Sequence, residues 1–309
     1  MKSDQGVGVM EASPRLLNIK AWVQAARPRT LTAALVPIWV GSALALKAQG
    51  HWSPELAAFA LLSSIFIQVG TNLINDAMDF KKGADTQERL GPKRVTQSGV
   101  FTAQQVWWAG LMCFALAIAL ALPLVLQGGF MIVGIGILSL IAGYVYTGGP
   151  YPLAYRGLGD LFVLIFFGWV AVLGMYFLST GSMSLSAWIA GTQVGLLATV
   201  LIAINNARDA VTDQKVGKMT LAARFGHKFA QMEIRLLYLI TFLLQFYWLS
   251  QKMIWAFYFP LALIPRVTFL LWKLSRSKPG PQYNQFLAQS ALIHLAFGGL
   301  LGLGFILSL

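Results

Sequence analysis

Apolar residues run through the chain in blocks of about twenty, parted by short polar segments, and each block predicts a helix long enough to cross a hydrocarbon core ~30 Å thick. The blocks fall at 30–47, 54–78, 104–125, 129–148, 158–179, 184–207, 230–250, 253–274 and 286–308. The expected architecture is therefore all-α and integral to the membrane, with nine transmembrane helices. Upstream, residues 1–14 carry Asp4 and Glu11 and lack the apolar core of a cleavable leader, which predicts a disordered tail. Residues 15–29 set Leu16, Ile19, Val23 and Ala26 at helical spacing beside Arg15, Lys20 and Arg27, the pattern of an amphipathic segment lying at the interface. Residues 30–309 then make a single transmembrane domain.

Composition agrees with the pattern. Hydrophobic residues make up 57% of the 309 and charged ones only 11%, less than half the usual share in a soluble domain. A net charge of +12 would point to nucleic acid in a soluble protein, but here the bases sit in short loops between apolar blocks. That placement reads as orientation in a bilayer, with no nucleic acid partner. With nine spans and a cytoplasmic N-terminus, 21 of the 23 Lys and Arg residues lie on the cytoplasmic side and only Lys47 and Lys252 lie opposite. The positive-inside rule thus places the N-terminus inside and the C-terminus outside, in what is expected to be a bacterial inner membrane. One cysteine, Cys113, rules out a disulfide framework and a Cys-based metal site.

Acidic residues follow the same split, which orientation alone does not explain. Two segments are rich in them. At the inner end of the second block, Asn75 and Asp79 share a helical face with Asp76 beside them; at the inner end of the sixth, Asn205, Asp209 and Asp213 stack at successive turns. The two blocks are four spans apart and run in the same direction, so the clusters form a weak internal repeat that sets two similar helix ends face to face. Crowded carboxylate and amide oxygens repel one another without a cation, and such hard ligands suit Mg²⁺. Bases lie nearby: Lys81, Lys82, Lys93 and Arg94 by the first cluster, Arg208, Lys218 and Arg224 by the second. Acid and base together point to a metal–diphosphate site, with Arg94 and Arg208 singled out among the bases. A single cluster would read equally well as charges anchoring a span at the interface; two in equivalent spans favour function.

A third polar stretch, Tyr144 to Pro152, breaks the helix at the end of the fourth block and offers aromatic rings at the same face. Other signals carry less. Gly134-Ile135-Gly136 and Gly302-Leu303-Gly304 lie inside apolar blocks, where small residues serve helix packing, and His51, His227 and His294 share no ligand spacing. The rival class is a cation- or proton-coupled transporter, whose carboxylates would be expected near mid-membrane and not gathered at one end.

The matching stretches Ala26 to Thr32, Asn75 to Gly99, Tyr146 to Pro150, Gly157 to Asp160 and Asn205 to Gly226 resemble the UbiA-type membrane prenyltransferases. Within that family the chain is most similar to the menaquinone-pathway branch, which prenylates 1,4-dihydroxy-2-naphthoate; prenylation of 4-hydroxybenzoate or homogentisate is the alternative. The resemblance implies nine helices around a central cavity. It implies Mg²⁺ and a polyprenyl diphosphate held by Asn75, Asp79, Asp85, Asn205, Asp209 and Asp213, with Arg94, Arg208 and Lys218 on the diphosphate. Asp79 and Asp209 would carry the catalysis. Tyr144 or Tyr146 would shield an allylic cation from its ring face, and Arg27 or Arg29 would pair with the acceptor carboxylate. Two positions depart from the branch: Met219, where a base is common, and Asp160, where a longer Glu is common.

Overall fold

The computed structural model describes residues 14–84 and 90–308. Residues 1–13 of the proposed tail and Asp85 lie outside the described residues, as does the Arg29 side chain, while Pro14 already opens the first helix. Every regular element among the described residues is helical. A first helix, α1 (Pro14–Ala26), leads through a 3₁₀ turn at Pro28–Thr30 into α2 (Thr32–Gln49). Then come α3 (Pro54–Lys81), α4 (Ala103–Val145), α5 (Gly159–Thr180), α6 (Leu185–Lys215), α7 (Leu221–Ser250), α8 (Ile254–Ser275) and α9 (Tyr283–Leu307).

Sequence-local chemistry fixes many of the ends. Ser53, Thr102, Ser184 and Thr220 each accept a hydrogen bond from a backbone N–H in the first turn of the helix that follows, and at Thr102 the Gln105 side chain answers in a capping box. Gly50 and Gly181 close α2 and α5 in the left-handed region that glycine enters without strain.

Helices α3 to α9 are the seven stretches long and apolar enough to cross a membrane among the described residues. The difference from the nine expected blocks falls at two places. The third and fourth blocks are joined in α4, whose 43 residues would reach roughly 65 Å if straight. At Gly129, with φ 61° and ψ −150°, the chain leaves helical geometry and α4 bends there. Helix α2 is 18 residues long and ends in a polar turn with Lys47 and Gln49, which sets it apart from those seven. At α1, Ala21 and Ala25 pack on the protein and Trp22 stacks on Phe101, while Ile19 and Val23 are exposed and leave an apolar strip facing outward.

Two contacts matter for the site. Helices α5 and α6 approach at Gly168, Gly191 and Gly195, where a Cβ on Gly168 would lie 2.5 Å from the Gly191 carbonyl oxygen. Small residues at such a crossing let backbones touch, as in membrane helix pairs generally. The approach sets the start of α5 beside the C-terminal half of α6. At the other end of the bundle, Lys47 Nζ donates to the Ser308 carbonyl and ties α2 to α9.

Candidate active site

A cavity of about 590 Å³ opens among the helices. Its polar end is walled by Asn75, Arg94, Asn205, Arg208, Asp209 and Lys218, and its apolar reach by residues such as Leu124, Ile132, Phe166, Met175 and Leu178. One space therefore meets both clusters, through Asn75 and Asp76 on one side and Asn205 and Asp209 on the other, and a long hydrophobic recess; Asp79 and Asp213 are buried and do not line it. The carboxylates occupy the last turns of α3 and α6, at the ends of the helices, where the transporter reading would have placed them midway.

Each cluster is built the same way. On α3, Asn75 and Asp79 are one turn apart and both meet Arg94: Nη1 donates to Asn75 Oδ1 at 2.9 Å and to its carbonyl at 3.0 Å, and Nη2 pairs with Asp79 Oδ2 at 2.8 Å. On α6, Asn205 and Asp209 are one turn apart and both meet Arg208. There Nε donates to Asp209 Oδ1 at 2.8 Å, and Nη2 donates to Asp209 Oδ2 at 2.6 Å and to Asn205 Oδ1 at 2.8 Å. The repeated unit is thus an Asn, an Asp four residues on, and a guanidinium held by both. A planar five-donor fork satisfies that geometry where an ammonium would not.

Asp213, a further turn along α6, faces Lys218 at 3.5 Å, and its Oδ2 is buried without a hydrogen-bond partner. No three His, Cys, Asp or Glu side chains converge as a ligand set among the described residues. The site offers instead a mixed set of Asn and Asp oxygens on two helix ends, two of whose carboxylates are neutralised by guanidinium. That donor chemistry, and the orphaned Asp213 oxygen, fit a hard divalent cation.

Several partners were not legible in the sequence. Tyr155, in the irregular segment between α4 and α5, donates from its hydroxyl to Asp79 Oδ1 at 2.9 Å. Burial first, and then the Asp79 charge, push its phenol well above the usual range, so it remains a donor. Lys82 stands 4.5 Å over the Tyr155 ring and donates to the Thr147 carbonyl at 2.6 Å, which clamps this segment to the end of α3. Replacing Tyr155 with Phe removes only the hydroxyl; turnover is expected to fall roughly 10- to 100-fold, the range for partners that orient a ligating carboxylate, with melting temperature little changed. Asn284, in the first turn of α9, accepts from Arg208 Nη1 at 2.6 Å and donates to the Leu90 carbonyl at 3.1 Å, which fastens the loop after α3 over the second cluster. Thr96 donates to Asp76, which the sequence placed beside the first cluster.

The remaining candidates divide. Arg27 lines the cavity, with its backbone in the left-handed region at φ 53°. Asn72 holds that turn by donating to the Ala26 carbonyl at 3.0 Å and to Thr30 Oγ1 at 3.1 Å. Tyr146 lines the cavity; Tyr144 is half-buried outside the lining, its ring against Gly148.

The UbiA prenyltransferase family matches residues 34–298. A 1,4-dihydroxy-2-naphthoate octaprenyltransferase of Escherichia coli (strain K12) is 40% identical over 220 residues, covering 69% of this chain and 70% of that one. The protein of that name in Bacillus subtilis (strain 168) is 32% identical over 229 residues, covering 74% and 72%. Among solved structures, a UbiA homolog from Archaeoglobus fulgidus bound to DMAPP and Mg²⁺ has a similar fold, with a TM-score of 0.64 at 19% identity over 94% of this chain and 100% of that one. With its helical bundle, its cavity and these relatives, the chain is an integral membrane protein of the UbiA prenyltransferase family.

Proposed function

We propose that the chain transfers a polyprenyl group from polyprenyl diphosphate to 1,4-dihydroxy-2-naphthoate, with release of diphosphate and CO₂. The observation that carries the reading is the doubled Asn/Asp/Arg unit at the polar end of a cavity whose other end is apolar. A charged head and a long hydrocarbon tail match those two ends. The relatives named above support the choice of acceptor.

Asn75, Asp79, Asn205, Asp209 and Asp213, with Asp85 in the segment beyond Ala84, would hold Mg²⁺, which when bound neutralises charge on the departing diphosphate. The protein's own part is to fix that head. Arg94, Arg208 and Lys218 supply positive charge at the cavity wall, already oriented by their partners, so little reorganisation is needed as the leaving group gains charge. Tyr155 holds Asp79 in place from behind. As the allylic C–O bond breaks, the Tyr146 ring at the cavity wall takes the cation-facing role, and the apolar lining keeps water from it. Arg27 at the cavity wall, with Arg29 two residues on, would pair with the acceptor carboxylate. The electron-rich ring then attacks, and loss of its carboxylate as CO₂ restores aromaticity.

We read nine crossings, counting α4 as two about Gly129 and adding α2, with the polar end on the cytoplasmic side of a bacterial inner membrane. Purified protein with Mg²⁺, labelled polyprenyl diphosphates and an acceptor panel tests the function. Prenylated, decarboxylated product from dihydroxynaphthoate and little from 4-hydroxybenzoate or homogentisate is expected. Product from neither class defeats the reading.

A further inference from the structure

The cavity holds one carboxylate that neither cluster uses. Asp160 lies in the first turn of α5, lines the cavity and is only 5% exposed. Its Oδ2 accepts a hydrogen bond from Asn206 Nδ2 at 3.4 Å, while its Oδ1 is buried and has no hydrogen-bond partner. Three of the site's cations are directed elsewhere, Arg94 to Asp79, Arg208 to Asp209 and Lys218 to Asp213. Tyr146 is its aromatic neighbour across Gly159, where a Cβ would lie 3.0 Å from the Tyr146 hydroxyl.

A buried carboxylate oxygen left without a donor is unfavourable unless something else supplies one. Here one oxygen is steadied by an amide and the other is left over. Asn206 is the residue next to Asn205 on α6, so the helix that carries the second cluster also steadies this carboxylate. The group is therefore placed in register with the diphosphate end of the cavity but outside its ion pairs. An acceptor lying between the two would bring a phenolic hydroxyl, which is the missing donor.

We propose that Asp160 is a catalytic residue that binds the acceptor's ring hydroxyl and takes its proton; the inference rests on the function proposed above. The proton passes from the hydroxyl to Asp160, and the oxygen's electron pair moves into the ring. The ring carbon bearing the carboxylate forms its bond to C1 of the prenyl group as the C1–O bond breaks, and that pair leaves with diphosphate. The bond from ring to carboxylate then breaks, its electrons return to the ring as CO₂ departs, and Asp160 gives the proton back to the oxygen. Atoms and electrons balance without any further reactant.

The test compares wild type, Asp160→Asn and Asp160→Glu in detergent with Mg²⁺, a polyprenyl diphosphate and dihydroxynaphthoate. Asp160→Asn keeps the shape and the neighbouring amide contact but accepts no proton. Its kcat is expected to fall roughly 100-fold or more, with prenyl diphosphate affinity unchanged within about twofold, since that ligand sits on other residues. Its residual rate should climb about tenfold per pH unit toward alkali, because an acceptor already ionised needs no base, while wild type stays nearly flat. Asp160→Glu restores a carboxylate and should recover most of the loss, which a purely structural defect in the Asn variant would not reproduce. Asn-variant turnover within about threefold of wild type, or a pH profile parallel to it, overturns the role of Asp160. Failure of the wild-type protein to prenylate any hydroxylated acceptor overturns the proposed function as well, which separates the two outcomes.

Discussion

Asp79→Asn and Asp209→Asn are each expected to lower turnover by roughly 10³-fold, the scale on which a group stabilising a departing anion counts. The amide keeps the size of the side chain and one acceptor oxygen, so what is lost is charge. At Asp79 that charge is shared by Arg94 at 2.8 Å and the Tyr155 hydroxyl at 2.9 Å; at Asp209 both oxygens meet the Arg208 guanidinium. Removing it leaves an arginine buried beside a neutral partner and strips the site of the negative ligand a divalent cation needs. Both variants should therefore also melt at lower temperature. Adding substrate with Mg²⁺ should stabilise wild type and leave the variants unchanged, which separates loss of the site from loss of the fold. Product formation under saturating substrate, with a thermal melt on the same preparations, measures both.

Arg208→Lys is expected to reduce turnover roughly 10²-fold although the charge is kept. The guanidinium makes four hydrogen bonds at once, to both Asp209 oxygens, to Asn205 and to Asn284. An ammonium has three donors on a single nitrogen and cannot reproduce that planar fork, so at least one of these acceptors loses its donor. Asn284 is the telling one, because it also holds the Leu90 carbonyl and with it the loop that follows α3. The lysine variant should accordingly show faster proteolysis near residue 90 as well as slow turnover, and a fragment map of limited digestion reads that directly. A variant with wild-type kinetics would mean that the fork is only a packing device.

Spacing carried much of this site. Asn75 with Asp79 and Asn205 with Asp209 with Asp213 could be read as helical faces because both lie on uninterrupted helix, and the structure keeps α3 helical to Lys81 and α6 to Lys215. Arg94 stood out as a base near the first cluster, but nothing in its own loop says that it folds back nineteen residues onto Asn75. Tyr155 and Asn284 escaped because their partners are 76 residues away in sequence, at Asp79 and Arg208; periodicity reports which residues share a face and says nothing of which loop closes over it. Asp160 was noticed as an Asp where a Glu is common, but its unpartnered oxygen is a property of packing. The count of crossings turns on a local feature of the same kind. Two helical stretches run end to end in α4 at the Gly128-Gly129 pair where two apolar blocks were expected to part, and the backbone angles at Gly129 mark the bend between them.

In the proposed reaction the two Asn/Asp clusters act together to hold a diphosphate through a divalent cation. Calorimetric titration of geranyl diphosphate into the detergent-purified protein, with and without Mg²⁺, tests it most directly. Wild-type binding is expected to be at least about 100-fold tighter with Mg²⁺ than without it, and binding to an Asp79→Asn/Asp209→Asn double variant should not respond to the metal. Equal affinity with and without Mg²⁺, unchanged in the double variant, would contradict it.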